Sequence, residues 1–231
     1  INMCLGVALN GISCTFLSRE MNRKQVAAQM ISMLAVGDLF EHGEYDCKFK
    51  DHAGKDAYLN WIAPRKLLQV RAGYRSWDAR KVRAIDAARV KFKALGKLMR
   101  IYDTTPENGG LSDIASAQTA VKRDLFLYGT QVVFADYLQL FDAPVTGTYE
   151  KTAYNSLAFQ SMAKSNPLTM VIAAQRNEES IKNTEESYSP GFKGGGDPAA
   201  VADFALLTRY KFGANSDETK LEIAMTLSRF G

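Results

Sequence analysis

Hydrophobic residues along this chain fall into short continuous runs and longer stretches with helical spacing. Three continuous runs, at 12–17, 131–135 and 169–174, are each followed closely by a polar side chain that could serve chemistry. Apolar runs of this length are typical of strands that are buried on both faces of a parallel sheet. The stretches between them repeat apolar residues every three or four positions, as amphipathic helices do. The pattern predicts an α/β fold with a mostly parallel central sheet flanked by helices.

The hydrophobic pattern also predicts the boundaries of the helices and of the remaining strands. We predict helices at 1–10, 22–36, 77–95, 112–127 and 151–165, and further strands at 98–102, 203–209 and 220–226. Asn22 and Ser112 stand where two of these helices begin. A short polar side chain at that point accepts a hydrogen bond from a free amide of the first turn. We therefore expect Asn22 and Ser112 to cap their helices.

The helix predicted at 77–95 is strongly basic. Its apolar stripe is formed by Val82, Ile85, Val90 and Leu95. The surrounding cations are Arg80, Lys81, Arg83, Arg89, Lys91 and Lys93. A charged solvent face over a buried stripe is the commoner meaning of this pattern, and a nucleic-acid surface is the alternative.

Three side chains follow the three continuous runs: Glu20, Asp136 and Gln175. Because parallel strands end at the same edge of a sheet, and ligands bind at that edge, we expect the three to lie together. One carboxylate can orient or deprotonate a water molecule, a second can hold Mg²⁺, and an amide can sense a γ-phosphate. The set indicates a nucleotide triphosphatase, although Asp136 taken alone is more typical of a turn or a helix cap.

The segments that carry these residues resemble a known family. Ser-x-Glu-Met stands at 18–21, Asp-Tyr-Leu-Gln-Leu at 136–140 and Ala-x-Gln at 173–175. In this order they resemble the DnaB-type replicative DNA helicases, whose motor is a RecA-like P-loop NTPase core. The likeness runs with gaps over 1–231, so we expect a single RecA-like motor domain. It implies ATP and Mg²⁺ as cofactors, with Mg²⁺ supported by Asp136.

The resemblance also implies partners and a mode of action. Family members are ring-shaped homo-oligomers, typically hexamers, that translocate on single-stranded DNA as helicases of the 5′–3′ type. A primase and a helicase loader are further partners in the family. The expected location is the cytoplasm of a bacterial or phage-infected cell.

A glycine-rich segment resembles the family's DNA-gripping loop. The stretch 193–203 is similar to the family's Arg-Glu-Ser-Gly-Ser-Ile-Glu-Gln-Asp-Ala-Asp. The resemblance implies DNA contacts from Lys193, Gly194, Gly195 and Gly196. The family's acidic residue falls on Gly194, which departs from the pattern. A glycine-rich surface loop without a DNA role is the alternative.

The last residues resemble the family's arginine finger. Ser228-Arg229-Phe230-Gly231 is similar to Lys-Gln-Arg-Asn-Gly, which implies that Arg229 reaches the γ-phosphate of a neighbouring subunit. The family's lysine two residues earlier is Leu227 here.

A phosphate-binding loop of the form G-x-x-x-x-G-K-[ST] occurs nowhere in the sequence. In the family it precedes a helix that corresponds to 1–10. We therefore expect this sequence to be a fragment, truncated at both ends, that begins just after its phosphate loop. The alternative is a lineage that has lost the loop.

Composition adds little to this picture. The 231 residues are 46% hydrophobic, enough for one sizeable core, and no apolar run approaches the about 20 residues of a membrane span. The net charge of +4 permits a polyanionic partner. Cys4, Cys14 and Cys47 are odd in number, which favours reduced thiols.

The polar stretch 41–63 has no counterpart in the family and is predicted to be a surface insertion. His42, Cys47 and His52 lie in it, but their spacing matches no usual zinc pattern, so a solvated loop is expected.

Two other functions stay open at this stage. A RecA-type recombinase or clock-type ATPase would share the fold, although Tyr-Leu-Gln-Leu after Asp136 argues against it. A non-catalytic DNA-binding or assembly module would account for the missing phosphate loop, and nucleotide binding separates it from an ATPase.

Overall fold

A computed structural model of the chain describes residues 1–42, 48–50, 56–58, 79–108, 110–175, 201–212 and 219–228. Its helices are α1 (Asn2–Leu9), α2 (Arg23–Glu41), α3 (Ala79–Leu95), α4 (Ile114–Tyr128) and α5 (Thr148–Ser165). Its strands are β1 (Cys14–Ser18), β2 (Lys48–Lys50), β3 (Asp56–Tyr58), β4 (Met99–Tyr102), β5 (Val132–Asp136), β6 (Thr169–Ile172), β7 (Phe204–Phe212) and β8 (Thr219–Ser228). Short 3-10 turns span Pro106–Asn108 and Leu138–Leu140. Each helix among the described residues is too short or too polar to cross a bilayer.

Four of the strands form a parallel sheet in the order β4-β1-β5-β6. Ser18 pairs with Asp136, Leu17 with Tyr102 and Ala135 with Ile172, so the strands end almost level. The predicted α/β architecture with a parallel central sheet is confirmed.

Helices cover both faces of this sheet because successive side chains of β1 point to opposite sides. Cys14 and Phe16 pack on one side against α1, α2 and α3. Leu17 packs on the other side against α4 and α5, where Phe141 and Phe159 meet edge to face with ring centroids 5.3 Å apart. Among the described residues the sheet is therefore the middle of three layers, and its strand ends are open to ligands.

One helix cap is as expected and the other is not. The Asn22 side chain accepts a hydrogen bond from Gln25 N over 3.0 Å, while the Gln25 side chain accepts from Asn22 N. The prediction of Ser112 as a cap was wrong, because Asp113 accepts from Ser116 N over 2.8 Å and begins the helix one residue later. This hydrogen bond also lowers the pKa of the Asp113 carboxyl.

The apolar stripe of α3 differs from the predicted one. Its buried residues are Ala84, Ile85, Ala88 and Leu95. Val90 is 72% exposed, because a residue five positions after Ile85 turns away from the face that packs on α2. The small Ala88 takes the inner position that the sequence pattern had given to a larger side chain.

The stretch 41–63 departs from expectation, because it contains an antiparallel pair, β2 with β3, where only loop was expected. Strands β7 and β8 agree with the two strands predicted at 203–209 and 220–226, and they pair antiparallel with each other as a two-stranded sheet of their own. Cys4 and Cys14 are buried free thiols with their Sγ atoms 3.7 Å apart, as expected of reduced cysteines. Cys47 and His52 lie outside the described residues.

Candidate functional site

Glu20, Asp136 and Gln175 lie at the same edge of the sheet. Asp136 is the last residue of β5 and pairs with Ser18, which lies two residues before Glu20. The amide of Arg19 donates to the Asp136 carbonyl over 2.9 Å, which joins the two strand ends directly. Gln175 comes three residues after the end of β6, which pairs with β5. The expectation that these positions meet at one edge agrees with the structure, whereas their chemical roles stay predictions.

Ser18 shapes the turn that carries Glu20. Its hydroxyl accepts from Met21 N over 3.1 Å and donates to Met21 O over 2.6 Å. The Ser18 side chain is buried, whereas Glu20 between the bonded residues is exposed. A buried hydroxyl therefore holds the backbone so that the carboxylate projects toward solvent at the sheet edge.

Arg19, the residue between them, ties this turn to the segment that follows β5. Its guanidinium donates to the Leu140 carbonyl over 3.0 Å and to the Leu111 carbonyl. It also pairs with Asp142 over 3.3 Å, and Lys151 pairs with the other Asp142 oxygen over 2.8 Å. The sequence pattern did not single out Arg19, because its partners lie about a hundred residues away along the chain.

Asp136 is half-buried, and this burial raises the pKa of its carboxyl. In the described part of the chain, His, Cys, Asp and Glu form no group of three or more that could hold a metal. A single carboxylate suits Mg²⁺, which is commonly held by one or two carboxylates together with water and phosphate oxygens.

Gln139 holds the backbone of Gln175 through two hydrogen bonds. Its Nε2 donates to the Gln175 carbonyl over 3.1 Å, and its Oε1 accepts from the Gln175 amide over 3.2 Å. Leu138 N donates to the Ala173 carbonyl over 2.9 Å and extends the contact between the two segments. Three hydrogen bonds therefore join the turn after Asp136 to the segment after β6, and the sequence did not reveal this role of Gln139.

The turn at Leu138–Leu140 is supported from α5. The side-chain amide of Asn155 donates to the carbonyls of Leu138 and Phe141 over 3.2 and 2.7 Å. Asn155 is fully buried, so this support comes from inside the domain. Buried hydrogen bonds therefore stabilise this sheet edge in addition to strand pairing.

The remaining predicted site residues are those of the DNA-gripping loop and the arginine finger. Lys193, Gly194, Gly195, Gly196 and Arg229 lie outside the described residues. Their roles in DNA binding and in catalysis across a subunit boundary stay predictions.

No protein-family model and no curated protein matches the sequence. Solved structures do match it. One of them, an ATPase domain, superposes with a TM-score of 0.73 at 13% identity, over 99% of this chain and 71% of that one. A DnaB-like replicative helicase, whose structure was described with its interactions with primase, superposes with a TM-score of 0.72 at 12% identity. That match covers 98% of this chain and 48% of the helicase, so the chain spans about half its length.

Both likenesses extend over almost the whole chain, at an identity that establishes the fold. The sheet flanked by helices and the strand ends that carry Glu20 and Asp136 agree with the RecA-like architecture expected from the sequence. The chain has the fold of the ATPase domains of DnaB-like helicases.

Proposed function

We propose that this chain is the motor domain of a DnaB-type replicative helicase, which hydrolyses ATP at the subunit interfaces of a ring and translocates on single-stranded DNA. The observation that carries the proposal is the meeting of Glu20, Asp136 and Gln175 at one edge of the sheet. Ligands of open α/β sheets bind at this edge. The fold of helicase ATPase domains supports the same function.

Each edge residue has a role that suits its surroundings. Glu20 is exposed on a turn fixed by Ser18, so its carboxylate can orient and deprotonate the attacking water. Asp136 would support Mg²⁺, in our proposal through a water ligand. When bound with ATP, the ion would neutralise charge that develops on the phosphates. Gln175 would contact the γ-phosphate and report its presence.

The backbone contacts offer a route for coupling. Gln139 would transmit a displacement of Gln175 to the turn after Asp136, because its amide is bonded to the Gln175 backbone in both directions. In our proposal the segment after Gln175 leads to the DNA contacts at Lys193 and at Gly194, Gly195 and Gly196. Hydrolysis at the edge would then be linked to movement along the strand.

Other parts of the proposal concern the assembled protein. Arg229 would complete the site of a neighbouring subunit, so hydrolysis requires a homo-oligomeric ring, for which we propose six subunits and 5′–3′ movement. A primase and a loader would be its partners, in a bacterial or phage-infected cell. The phosphates would lie at the start of α1, where free helix amides and the helix dipole favour anions.

The second candidate function is a non-catalytic DNA-binding or assembly module. It is favoured by one sequence observation, the lack of G-x-x-x-x-G-K-[ST]. That loop supplies the amides and the lysine that hold the phosphates. For this reason we expect the 231-residue chain to show no DNA-stimulated ATPase activity.

The test joins a strand and a phosphate-binding loop of the form G-x-x-x-x-G-K-S to Ile1. ATP hydrolysis is then measured with and without single-stranded DNA. We expect stimulated turnover that falls by about 100-fold or more in Glu20→Gln, the usual loss of a general base. Glu41→Gln, which changes an exposed glutamate at the end of α2, is the matched control.

Two results would count against the motor. One is a folded fusion protein that binds ATP without hydrolysing it under any DNA condition. The other is equal activity in the Glu20→Gln and Glu41→Gln proteins. In either case the assembly module becomes the better account.

A further inference from the structure

A cleft with a cavity of about 530 Å³ lies beside β4. In the described part of the chain β4 pairs only with β1, so it is the outer strand of the parallel sheet. All four residues of Met99–Tyr102 line the cleft. Since neighbouring strand residues point to opposite faces, a cavity that touches all of them runs along the strand's open edge.

The lining of this cleft is strongly basic. Arg23 comes from α2, Arg100 from β4 and Arg123 from α4, and Glu107 is the single carboxylate among the described lining residues. The lining thus combines three arginines from three separate elements with one carboxylate, and Arg123 Nε also lies 3.8 Å from the buried Asp124 carboxylate. Phe92, from the last turns of α3, adds an aromatic surface.

Two of the three guanidinium groups are held in place by other side chains. Arg100 lies 3.8 Å from the centre of the Tyr128 ring, and its Nη1 donates to the Lys97 carbonyl over 3.3 Å. Arg123 donates to the Tyr102 hydroxyl over 2.6 Å. Groups that are already ordered lose less conformational entropy when a ligand arrives.

The third guanidinium belongs to Arg23, at the first position of α2. Its backbone amide is bonded to the Asp103 carboxylate, which fixes the start of the helix at the cleft. The Arg23 side chain itself is exposed to solvent. Arg23 is therefore accessible to a ligand, and its side chain can be changed without disturbing the hydrogen bond of its backbone amide.

We propose that this cleft binds a ligand that carries at least two phosphate groups. The planar fork of arginine matches the oxygens of a phosphate, and charge-assisted hydrogen bonds of this kind are the strong ones. A cavity of about 530 Å³ is of the size that small-molecule sites have. Glu107 accepts hydrogen bonds, which favours a ligand with hydroxyl or amino donors, such as a nucleotide.

The cleft differs from the proposed ATP site in its residues, because none of Glu20, Asp136 and Gln175 lines it. Asp136 and Gln175 follow β5 and β6, which lie on the far side of β1 from β4, whereas Glu20 lies three residues before Arg23. The same phosphate chemistry is available from a free nucleotide and from the backbone of single-stranded DNA. The experiment distinguishes these two sources.

Binding is measured by calorimetry on the 231-residue chain at low ionic strength, with tripolyphosphate, ADP and a thymidine oligonucleotide as probes. We expect Arg23→Gln to lower the affinity for at least one probe by about ten-fold, because one charged hydrogen-bond donor is lost. Lys24→Gln removes the same charge one residue away and is the control, since Lys24 does not line the cleft. Arg23→Lys keeps the positive charge without the planar guanidinium fork. Its affinity for the probe should therefore lie between that of the original protein and that of Arg23→Gln.

The pattern across probes identifies the source. If Arg23→Gln weakens the binding of tripolyphosphate or ADP, the ligand is a free polyphosphate. If it weakens the binding of the oligonucleotide alone, the ligand is nucleic acid. Arg100→Gln, with Lys122→Gln as its control, provides a second pair should Arg23→Gln fold poorly.

Two results overturn the proposal. The first is the absence of measurable binding of every probe. The second is equal weakening by the cleft variants and their controls, which would indicate non-specific attraction to a basic protein. ADP binding that responds to Asp136→Asn and not to Arg23→Gln would place the nucleotide at the sheet edge, and the cleft would then have no ADP-binding role.

Discussion

The side-chain amide of Gln139 and the main-chain amide of Gln175 are paired through two hydrogen bonds, of 3.1 and 3.2 Å. Such pairing imitates one step of a strand ladder beyond the point where β5 and β6 end. It fixes the direction in which the chain leaves β6. A displacement of Gln175 must therefore either move the Gln139 side chain or break at least one of the two hydrogen bonds.

Replacing Gln139 with Ala should loosen Gln175 without unfolding the domain. A hydrogen bond of this kind contributes about 0.5–1.5 kcal/mol, so we expect amide exchange at Gln175 to speed up by about two- to ten-fold. Exchange is measured by NMR on the 231-residue chain. Gln131→Ala, an exposed glutamine just before β5, is the control and should leave the rate unchanged. Identical exchange in both variants would mean that Gln139 does not hold Gln175 in solution.

The placement of Glu20, Asp136 and Gln175 could be predicted because it depends on one general rule. Continuous apolar runs predict buried parallel strands, and parallel strands end at a common edge. The contacts of Arg19 and Gln139 depend instead on which loops meet after folding. Arg19 bonds Leu140 across 121 positions of sequence, a distance over which hydrophobic periodicity carries no information.

The errors have equally local causes. Asp113 caps the helix in place of Ser112 because the Asp113 carboxylate accepts a hydrogen bond from the Ser116 amide. The Ser116 hydroxyl in turn accepts a hydrogen bond from the Asp113 amide. Val90 was assigned to the core of α3 by its hydrophobicity, whereas the small Ala88 lies at the closely packed contact with α2. Pattern reasoning identified both helices and misplaced only residues whose roles depend on close contacts.

Asp136→Asn should stabilise the metal-free protein at neutral pH. Burial raises the pKa of this carboxyl above its ordinary value of 3.8, so the folded state binds the proton more tightly than the unfolded state. The stabilisation that the bound proton gives the folded state is complete below pH 3.8, and it is lost as the pH rises through the folded-state pKa of Asp136. Asn lacks the charge, so the variant's advantage should be present at pH 7 and shrink as the solution is acidified.

Thermal melts in EDTA between pH 3 and pH 8 measure this effect. Asp203→Asn, at an exposed aspartate, is the control and should change Tm little across the range. A lower Tm for Asp136→Asn at pH 7 would show that Asp136 is held by favourable contacts. A stability gain with lost function would be typical of a carboxylate retained for its chemistry.

Tyr102→Phe should destabilise the domain through the buried Asp124. The Tyr102 hydroxyl donates to Asp124 over 2.6 Å, and Thr15 donates to the other oxygen over 2.7 Å. Asp124 is fully buried, so loss of one donor should cost about 1–3 kcal/mol in the free energy of unfolding. Urea titration measures the change, and Tyr149→Phe, at an exposed tyrosine, is the control.

The pKa of Tyr102 also predicts how the stability of the domain changes at high pH. Burial, together with the hydrogen bond to Asp124, raises the pKa of Tyr102 to about 12 from its ordinary 10.0. Its stabilising effect is complete below pH 10 and is lost as the pH rises through about 12. The stability difference between the original protein and Tyr102→Phe should therefore narrow over this interval. A difference that stays constant up to pH 12 would contradict the shifted pKa.

The proposed division of labour between Glu20 and Arg229 can be tested by mixing subunits. In the fusion protein that carries a phosphate-binding loop, Glu20→Gln removes the base and Arg229→Ala removes the finger, so rings of either variant alone should hydrolyse ATP slowly. If the finger acts across a subunit boundary, mixed rings contain some interfaces with an intact Glu20 from one subunit and an intact Arg229 from its neighbour. ATPase activity should then exceed that of either variant, and native mass spectrometry verifies that the rings are mixed. Because Arg229 acts on the nucleotide, its removal should leave affinity for single-stranded DNA nearly unchanged at a fixed nucleotide state, whereas Lys193→Ala should weaken that affinity and reduce its salt dependence. No recovery of hydrolysis in verified mixed rings would mean that Arg229 acts within its own subunit or only supports the fold.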